Sequence, residues 1–518
     1  MNGGLMKTTS RFAIAAAASV IATSALAADL GGNCCADLEE RVAELEATTA
    51  RKGNRRVSLT VYGHVNEGVL WWDDGEETNA YVVTNENSRT RFGFRGDARI
   101  SPEWSAGYLL EIGVRIANSA AVSQFVDDNT PSNLSLDLRH SAWYIESTKL
   151  GRMWVGHTSM ATDGITEINL SNSAVIGSPD INNWNGGFFI RLEDDRRLRD
   201  GRHGDRTLAR GLSGSLVGVT WSNILSQANA NVGDGDRRNL VRYVSPTFSG
   251  FTFSASWGED DFWDVALRYA NEFNGVRVAA GIGYQDWTDG DARAIVPAFG
   301  SVNGIVNVGT GSQGDRGCAN LDFATDSIFF NGDGQDVDCH AVGMSASVMH
   351  VPTGLFVAGA YGWLNDENRR LLFALRTDGL LLDADDRDQF WYAQAGIEKN
   401  FFGLGKTTLY GEYFNGDTGG NLSGGDVRNI GGFFPAFDTA TRAFITSSNV
   451  QVWGVGLVQT IDAAAMDLYV GYRLYSGDVD VVFDDLTLDN GTTTRRISKR
   501  NQDLEDFQAV FAGGIIRF

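Results

Sequence analysis

The feature that most constrains this chain is a period of two in its hydrophobicity, which begins near Val57 and recurs toward residue 518. In the first stretch, one face carries Val57, Leu59, Val61, Val65, Val69 and Trp71. The opposite face is polar, with Glu67 as the exception on the apolar side. In the next stretch, Phe92, Phe94, Ala98 and Ile100 alternate with Arg91, Arg95, Asp97 and Arg99. Such alternation is typical of strands with one apolar face.

Short links alternate with long links between these strands, and this regularity favours one all-β architecture. The short links are residues 101–104, 246–250, 271–275, 352–354, 401–405 and 462–465, and long polar segments follow residues 117, 286, 365, 415 and 477. Outer-membrane barrels have short periplasmic turns and long external loops, and their apolar residues face lipid. No apolar run after the N-terminus reaches the 18 residues of a helical span. The 62 Gly and only 7 Pro also suit long paired strands.

The strand count predicts a transmembrane, antiparallel β-barrel of sixteen strands, which is wide enough for an aqueous lumen. The predicted strands are residues 57–72, 80–100, 105–117, 134–147, 150–157, 236–246, 251–259, 262–271, 276–286, 340–351, 355–364, 389–399, 406–415, 449–460, 466–476 and 505–518. An even count returns both barrel ends to the periplasmic side. On the last strand Val510, Ala512, Gly514, Ile516 and Phe518 share one face, so Phe518 is interpreted as an assembly signal.

The N-terminal residues predict export and a short oligomerisation segment. Lys7 and Arg11 precede an apolar run that ends in the small-x-small site of residues 25–27, so residues 1–27 are predicted to be a signal peptide, with Met6 as an alternative start. Residues 28–56 form a predicted periplasmic extension, and residues 57–518 form the barrel. Within the extension a short helix over residues 37–52 has a coiled-coil seam of Leu38, Val42 and Leu45. Two heptads are too short to be stable alone, so the segment indicates an oligomer.

The long third loop, residues 158–235, is expected to fold inward and narrow the lumen, because a loop of this length with a varied sequence is usually functional. Its strand-like segment 212–221 is assigned to an ordered part of the loop. Asp163 and Glu167, together with Glu111, are predicted to form an acidic side. A basic wall is predicted from Arg89, Arg91, Arg95, Arg99, Arg115 and Arg139. Opposed charges would orient hydrated solutes. The alternative is that these arginines only pair with carboxylates such as Glu111 and Asp97.

Charge and cysteine usage narrow the partners. A net charge of −22, from 43 basic and 65 acidic residues, disfavours nucleic acid. Acidic loops such as residues 478–489 are interpreted as solvated, or as attracting cations toward a pore mouth. Cys318 and Cys339 are predicted to form a disulfide in an external loop over residues 287–339. Adjacent Cys34 and Cys35 pair poorly with each other, and one hypothesis is that they cross-link subunits.

Catalytic motifs have little support in the sequence. None of the six histidines has a metal-ligand spacing, and no phosphate-binding glycine loop follows a strand. His140 and Ser141 are consecutive on a predicted strand and therefore point to opposite faces. We therefore predict no enzyme activity, no metal and no cofactor, and the alternative of a barrel protease or lipase is disfavoured.

Several segments resemble a known family. Residues 239–251, NLVRYVSPTFSGF, resemble the porin motif in which a strand descends, turns at Ser-Pro and rises from Gly-Phe. Residues 34–60, 91–96, 104–112 and 161–187 look like the trimeric porins of alphaproteobacteria. The resemblance implies a sixteen-stranded barrel, a homotrimer, an infolded third loop, a periplasmic coiled coil and contact with outer-membrane lipid and lipopolysaccharide. It also implies non-specific passage of small hydrophilic solutes.

The leading hypothesis is therefore a passive, water-filled outer-membrane channel for small hydrophilic solutes and ions. One alternative is a substrate-selective channel for sugars or anions, in which Trp143, Trp154 and Tyr410 line the path. The other alternative is a plugged barrel that binds partners at the cell surface. The residues alone leave ion selectivity and pore size open.

The predicted seam can be tested by deletion. Removal of residues 37–52 is expected to leave a barrel whose oligomer dissociates at a lower temperature, because the apolar stripe can be buried only against other copies. Gel mobility of unboiled samples over a temperature series measures this. Unchanged heat resistance of the oligomer would rule out a role for the seam.

Overall fold

A computed structural model describes residues 57–127, 135–191, 220–225, 231–258, 262–287, 339–366, 386–418, 439–489 and 492–518. Eighteen strand segments are present in these ranges. They are β1 Thr60–Asp73, β2 Thr78–Thr84, β3 Arg91–Arg99, β4 Trp104–Arg115, β5 Ser135–Ser147, β6 Gly151–Ser159, β7 Arg237–Val244, β8 Phe251–Gly258, β9 Trp263–Phe273, β10 Val276–Trp287, β11 Cys339–His350, β12 Leu355–Asp366, β13 Arg387–Lys399, β14 Thr407–Thr418, β15 Thr439–Ile461, β16 Met466–Asp489, β17 Thr492–Asp503 and β18 Phe507–Arg517. The predicted coiled coil, with its seam of Leu38, Val42 and Leu45, and the signal peptide lie outside the described residues.

The segments close into a barrel of sixteen antiparallel strands, as predicted. From β3 to β16 each strand pairs with the next, and β18 pairs with both β16 and β1. The segment β2 pairs with residues 67–73 of β1, while β3 pairs with residues 60–64 of the same strand. In the same way β17 pairs with residues 478–489 of β16, and β18 pairs with residues 466–475. The eighteen segments therefore occupy sixteen positions around the wall.

Two strand predictions need correction. The second strand, predicted as residues 80–100, is interrupted by a 3₁₀ turn at Glu86–Ser88, where the Asn85 side chain accepts a hydrogen bond from the Asn87 N–H. The last loop, predicted to begin at residue 477, is instead a paired hairpin, because β16 continues to Asp489 and pairs with β17. Acidic residues at 478–489 had indicated a solvated loop. Backbone pairing does not depend on side-chain charge, so acidic residues are compatible with a hairpin.

The wall has two faces of different chemistry. On β1 the predicted apolar face is exposed at Val61, Val65 and Val69, whereas Leu70 and Trp72 on the other face are buried. The same alternation on β11 leaves Val348 exposed and Ser347 buried. Apolar side chains on the outside of a membrane barrel are in contact with lipid, so the buried face is the luminal one.

The turns at one end of the wall are tight. Asn274 and Gly275 alone link β9 to β10, and both have positive φ angles, 51° and 79°. Asn-Gly is the preferred pair for a two-residue hairpin turn because Asn tolerates this conformation and Gly adopts it without strain. Short turns of this kind mark the periplasmic end. Among the described residues, no helix is long and apolar enough to cross a membrane.

The connection between β6 and β7 lies against the luminal face of the wall in its described parts, residues 160–191, 220–225 and 231–236. Ile168 and Leu170 donate backbone N–H bonds to Ser345 and Ser347 of β11, and Asn172 donates to Glu398 of β13. Of the strand-like segment 212–221, residues 212–219 lie outside the described ranges. Trp221 begins a short helix that ends at Ile224.

An aromatic cluster fills the space between this connection and the wall. Its fully buried members are Trp72, Trp184, Phe188, Trp221, Tyr475, Phe507 and Phe511. Trp72 and Phe188 have ring centroids 5.0 Å apart, and so do Phe188 and Phe507. Each buried ring removes about 150–250 Å² from water, so the cluster stabilises the loop against this part of the lumen.

The junction of β1 and β18 includes Phe518. Its N–H donates to the Gly63 carbonyl at 3.0 Å, and the Gly63 N–H donates to the Phe518 carbonyl at 3.1 Å. A Cβ added at Gly63 would lie 2.6 Å from the Phe518 ring, so the ring packs directly on this glycine. Phe518 therefore extends the seam between β1 and β18, which closes the barrel, by one further pair.

Deletion of Phe518 is expected to reduce the amount of folded barrel, because the seam loses both hydrogen bonds and the ring contact. The fraction of heat-modifiable protein on a gel measures assembly, and single-channel conductance of the assembled fraction should be unchanged. Ile100→Ala is the control, since Ile100 is an exposed apolar residue at the same end of the wall. Normal assembly of the deletion variant would contradict the proposed role of Phe518.

Candidate functional site

A group of arginines lines the luminal face at β3, β4 and β5. Arg91 lies in β3, Arg115 ends β4, and Arg89 precedes β3 in the turn after residue 88. Arg139 is the extra residue of a β-bulge, because Glu111 pairs with His140 while Ile112 pairs with Leu138. Bulges redirect side chains and often occur beside functional sites. Here the bulge places the Arg139 side chain beside Glu111. We call Arg89, Arg91, Arg115 and Arg139 the arginine wall.

Carboxylates lie among the residues of the arginine wall. Glu111 accepts hydrogen bonds from Arg139 Nε at 2.7 Å and from the Tyr62 hydroxyl at 2.9 Å, and Arg91 Nη1 is 3.5 Å away. The prediction that Glu111 belongs to an opposing acidic side is therefore wrong. Glu111 pairs with Gly93 across β3 and β4, which sets its side chain between Arg91 and Arg139.

Arg89 and Arg115 are paired as well. Arg89 Nη1 lies 2.7 Å from Asp137, while Glu86 lies 3.0 Å from Arg115 Nη2 and 3.5 Å from Arg89 Nε. Charge-assisted bonds of this length fix side chains more firmly than neutral ones. The arginine wall is thus a rigid network in which positive and negative groups alternate.

Arg95 and Arg99 lie further toward the periplasmic end and do not join this network. The Arg95 guanidinium lies 5.1 Å from the centre of the Tyr62 ring and is exposed. Arg99 Nε donates to the Ser101 carbonyl in the turn after β3. The predicted six-membered wall therefore separates into four paired arginines and two exposed ones below them.

A second group of arginines was missed by the sequence analysis. Arg268 of β9 donates to the carbonyls of Ala161 and Asp163 at 2.7 and 2.8 Å, and Arg242 of β7 donates to that of Ser159 at 3.0 Å. Arg237 Nη2 lies 3.7 Å from the Asp163 carboxylate. The available signal was alternation in β7, where Arg242 lies between the exposed residues Val241 and Tyr243.

Asp163 and Glu167 lie in the first part of the third loop. Asp163 is partly buried and near Arg237, whereas the Glu167 side chain is exposed. The loop backbone between them is held from one edge. Gly164 and Thr166 donate N–H bonds to the two oxygens of Asp234, at 2.7 and 2.8 Å.

The pattern of these backbone bonds continues along the loop at every second residue. The six N–H donors and their side-chain acceptors are Thr162 to Asp264, Gly164 and Thr166 to Asp234, Ile168 to Ser345, Leu170 to Ser347, and Asn172 to Glu398. The backbone turns through residues 161–166, with a bond from the Ile165 N–H to the Thr162 carbonyl and a positive φ of 73° at Gly164, and every second N–H faces these acceptors. We call residues 162–172 the pinned segment.

The three residues of the predicted aromatic lining do not share one surface. Trp143 is 53% exposed on the apolar outer face, so its assignment to the lumen is wrong. The extra residue at Arg139 shifts the alternation of β5 by one position. Leu136 and Leu138 before the bulge and Trp143 after it therefore lie on the same outer face. Trp154 is luminal, with its ring 4.6 Å from that of Tyr144. Tyr410 is also luminal, but the loop covers it, and a Cβ at Gly177 would lie 2.6 Å from its ring.

The remaining predicted site residues are the cysteines. Cys339 begins β11 and takes part in a disulfide. Cys318 lies outside the described residues, so its pairing with Cys339 stays a prediction. Within the described ranges, no group of three or more His, Cys, Asp or Glu side chains is arranged to hold a metal ion.

The chain is similar to several solved porin structures. An anion-selective porin from Comamonas acidovorans is 13% identical, with 89% of this chain and 100% of that chain covered and a TM-score of 0.45. OmpF of Salmonella typhi, in complex with daunomycin, is 13% identical over 89% and 98% of the two chains, with a TM-score of 0.44. OprB of Pseudomonas putida is 9% identical over 92% and 97%, with a TM-score of 0.43.

Among curated proteins no match is found. The family model described as Gram-negative porin matches residues 13–421, which is most of the chain. The closed sixteen-stranded wall agrees with this match. The chain belongs to the Gram-negative porin family.

Proposed function

We propose that this porin is a general-diffusion channel in which small hydrophilic solutes and ions pass between the third loop and the arginine wall. Membership of the family supports a passive outer-membrane channel. The position of the path is the finer proposal. Transport along this path depends only on which solutes the channel binds or excludes, and the solute gradient drives the flux.

The observation that carries this proposal is the difference in exposure between two sides of the lumen. On β11 to β16 the luminal side chains are covered, as at Ser347, Phe414 and Tyr475, each at most 1% exposed. On β3 to β5 Arg139 and Glu111 are buried, but Arg91 and Asp137 of the same network are partly exposed. The luminal side chains of Asp97 and Arg95, nearer the periplasmic end, are exposed. Water therefore reaches the wall at β3 to β5, and a hydrated solute follows the same route.

The charges on either side of this path suit hydrated and dipolar solutes. The arginine wall lies on one side, and Asp163 of the loop supplies a carboxylate of the opposite sign. A field between fixed charges orients dipoles and discriminates ions without tight binding. Because all four arginines of the arginine wall are paired, we propose a modest ion preference at the constriction.

A homotrimer is part of the proposal. The coiled-coil prediction supports it from the sequence, and the family resemblance implies it. A solved porin from Vibrio cholerae is described as a trimer form, which is a statement about that protein.

The alternative of a substrate-selective channel has one supporting observation. Tyr144 and Trp154 form a luminal aromatic pair, and the Arg152 guanidinium lies 4.3 Å from the Tyr144 ring centre and 5.5 Å from that of Trp154. Aromatic faces beside an arginine are suited to sugar rings or to anions carried past them. The general channel remains the preferred proposal because these rings are already in contact with their own arginine.

Neutralising one side of the path should shift ion preference in opposite directions. Arg91→Gln is expected to favour cations, and Asp163→Asn is expected to favour anions. A charge about 8 Å from the path interacts with a monovalent ion by about 0.5 kcal/mol in water, so the permeability ratio should change roughly two- to fivefold. Reversal potential in a low-salt gradient measures it, since salt screens the effect.

Arg277→Gln is the control for these variants, because Arg277 forms an exposed ion pair with Glu272 near the turn between β9 and β10. It should leave the reversal potential unchanged. If Arg91→Gln and Asp163→Asn shift the potential in the same direction, or not at all, the proposed path does not run between these groups.

Solute flux separates the general channel from the selective one. Swelling of liposomes with sugars of graded size should slow smoothly with size, without saturation, and Trp154→Ala should have little effect. Trp143→Ala is a matched control on the outer face. Saturable uptake of one sugar that Trp154→Ala weakens would favour the selective channel, and absence of conductance steps in a planar bilayer would favour a plugged barrel.

A further inference from the structure

A buried ion pair between β16 and β14 joins the barrel wall to the tip of the third loop, and the β18 and β1 positions separate β16 from the arginine wall. Arg473 of β16 donates from Nε to Glu412 of β14 at 2.7 Å. The Arg473 side chain is fully buried and the Glu412 side chain is 2% exposed. Among the ion pairs between described residues, it is the most deeply buried.

The remaining donors of Arg473 reach the loop backbone. Nη2 donates to the Ser178 carbonyl at 2.9 Å, and Nη1 is 3.4 Å from the Ile181 carbonyl. These carbonyls flank the turn at residues 179 and 180. The guanidinium also lies 4.4 Å from the centre of the Trp184 ring. One side chain therefore holds the loop tip, residues 177–184, by two hydrogen bonds and a cation–π contact.

Neighbouring side chains complete the attachment. The Tyr475 hydroxyl donates to the Ile181 carbonyl at 2.9 Å, and the Tyr392 hydroxyl donates to Glu412 at 2.7 Å. Glycine permits close approach at this point, because a Cβ at Gly471 would lie 2.6 Å from the Trp184 ring. The wall is thus shaped to receive the tip.

We propose that Arg473, oriented by Glu412, is the positioning residue that fixes the tip of the third loop and thereby the width of the solute path. The inference rests on the proposed path between the loop and the arginine wall. The pinned segment holds the loop through residue 172, and beyond it the Asn85 and Asn87 side chains donate to the Val175 and Ile176 carbonyls. The Asn183 side chain also donates to Asn87, so these contacts hold the tip toward the turn that carries Glu86, beside the arginine wall. The Arg473 contacts hold the tip from the other flank, and without them it can move toward the arginine wall and obstruct the path.

The geometry requires an arginine at this place. Three contacts leave the guanidinium in different directions, to Glu412, to Ser178 and to Ile181. Lysine carries the same charge as a compact point with a flexible stem, and it lacks the planar fork. It can pair with Glu412, but it cannot hold both carbonyls and stack on Trp184 in the same way.

The experiment records single-channel current from the full chain in planar bilayers, with heat-modifiability as the measure of folding. Arg473→Met alone leaves Glu412 buried without its partner, so its yield should fall. The double variant Arg473→Met with Glu412→Leu removes both charges, and its yield should return toward that of the wild type. It still lacks the hydrogen bonds to Ser178 and Ile181, so brief closures should be about tenfold more frequent or more.

Two milder variants separate positioning from folding. Arg473→Lys should keep the yield and still show more frequent closures. Tyr475→Phe removes one bond to Ile181 but keeps the ring, so it should give a smaller increase. Arg277→Met is the control for loss of an exposed ion pair.

Wild-type current in both the double variant and Arg473→Lys would overturn the inference and show that the pair only stabilises the barrel. Failure of the proposed path is distinguishable from this outcome. In that case the wild type itself gives no conductance steps, or the Arg91 and Asp163 variants leave ion preference unchanged.

Discussion

The rest of this structure depends on the need to satisfy backbone hydrogen bonds of a loop that lies inside a barrel. Wall strands have neighbours on both sides, but a loop in the lumen has none. In the pinned segment, alternate N–H groups find acceptors in side chains such as Asp264, Ser345 and Glu398. An unpaired buried donor costs about 1–3 kcal/mol, so each acceptor position on the wall is constrained. Carboxylates and hydroxyls on this side of the lumen therefore accept hydrogen bonds from the loop backbone.

Because the loop binds only part of the wall, the luminal face has one region that the loop covers and one that is in contact with water. On the side of β13 to β18 the loop packs through aromatic rings and one buried ion pair, and water has no access to Tyr475 or Phe511. On the side of β3 to β5 the wall meets water, and charged side chains are stable there because they are paired and partly solvated. A sixteen-stranded barrel is wide, but the loop leaves only part of its cross-section open to water.

Much of the wall could be predicted from the sequence, since strand periodicity is a local property. The break at Glu86–Ser88 could not, because it depends on an Asn85 side-chain bond rather than on hydropathy. Contacts within the lumen were harder still. Alternation correctly placed Arg91 and Arg139 on the inner face, but it could not show that Glu111 lies between them. The bulge at Arg139 follows Leu136 and Leu138, both exposed, and Trp143 beyond it lies on the outer face.

The closing seam has a consequence for how this barrel comes to exist. The pairs His64 to Arg517 and Asp73 to Gln508 join segments that are separated by almost the whole barrel sequence. Until they meet, β1 and β18 are open edges, and an open edge in hydrocarbon leaves its N–H and C=O groups unsatisfied. Partly closed sheets are therefore unstable inside the bilayer. Folding of this wall should be strongly cooperative and slow, with the most distant contact formed last.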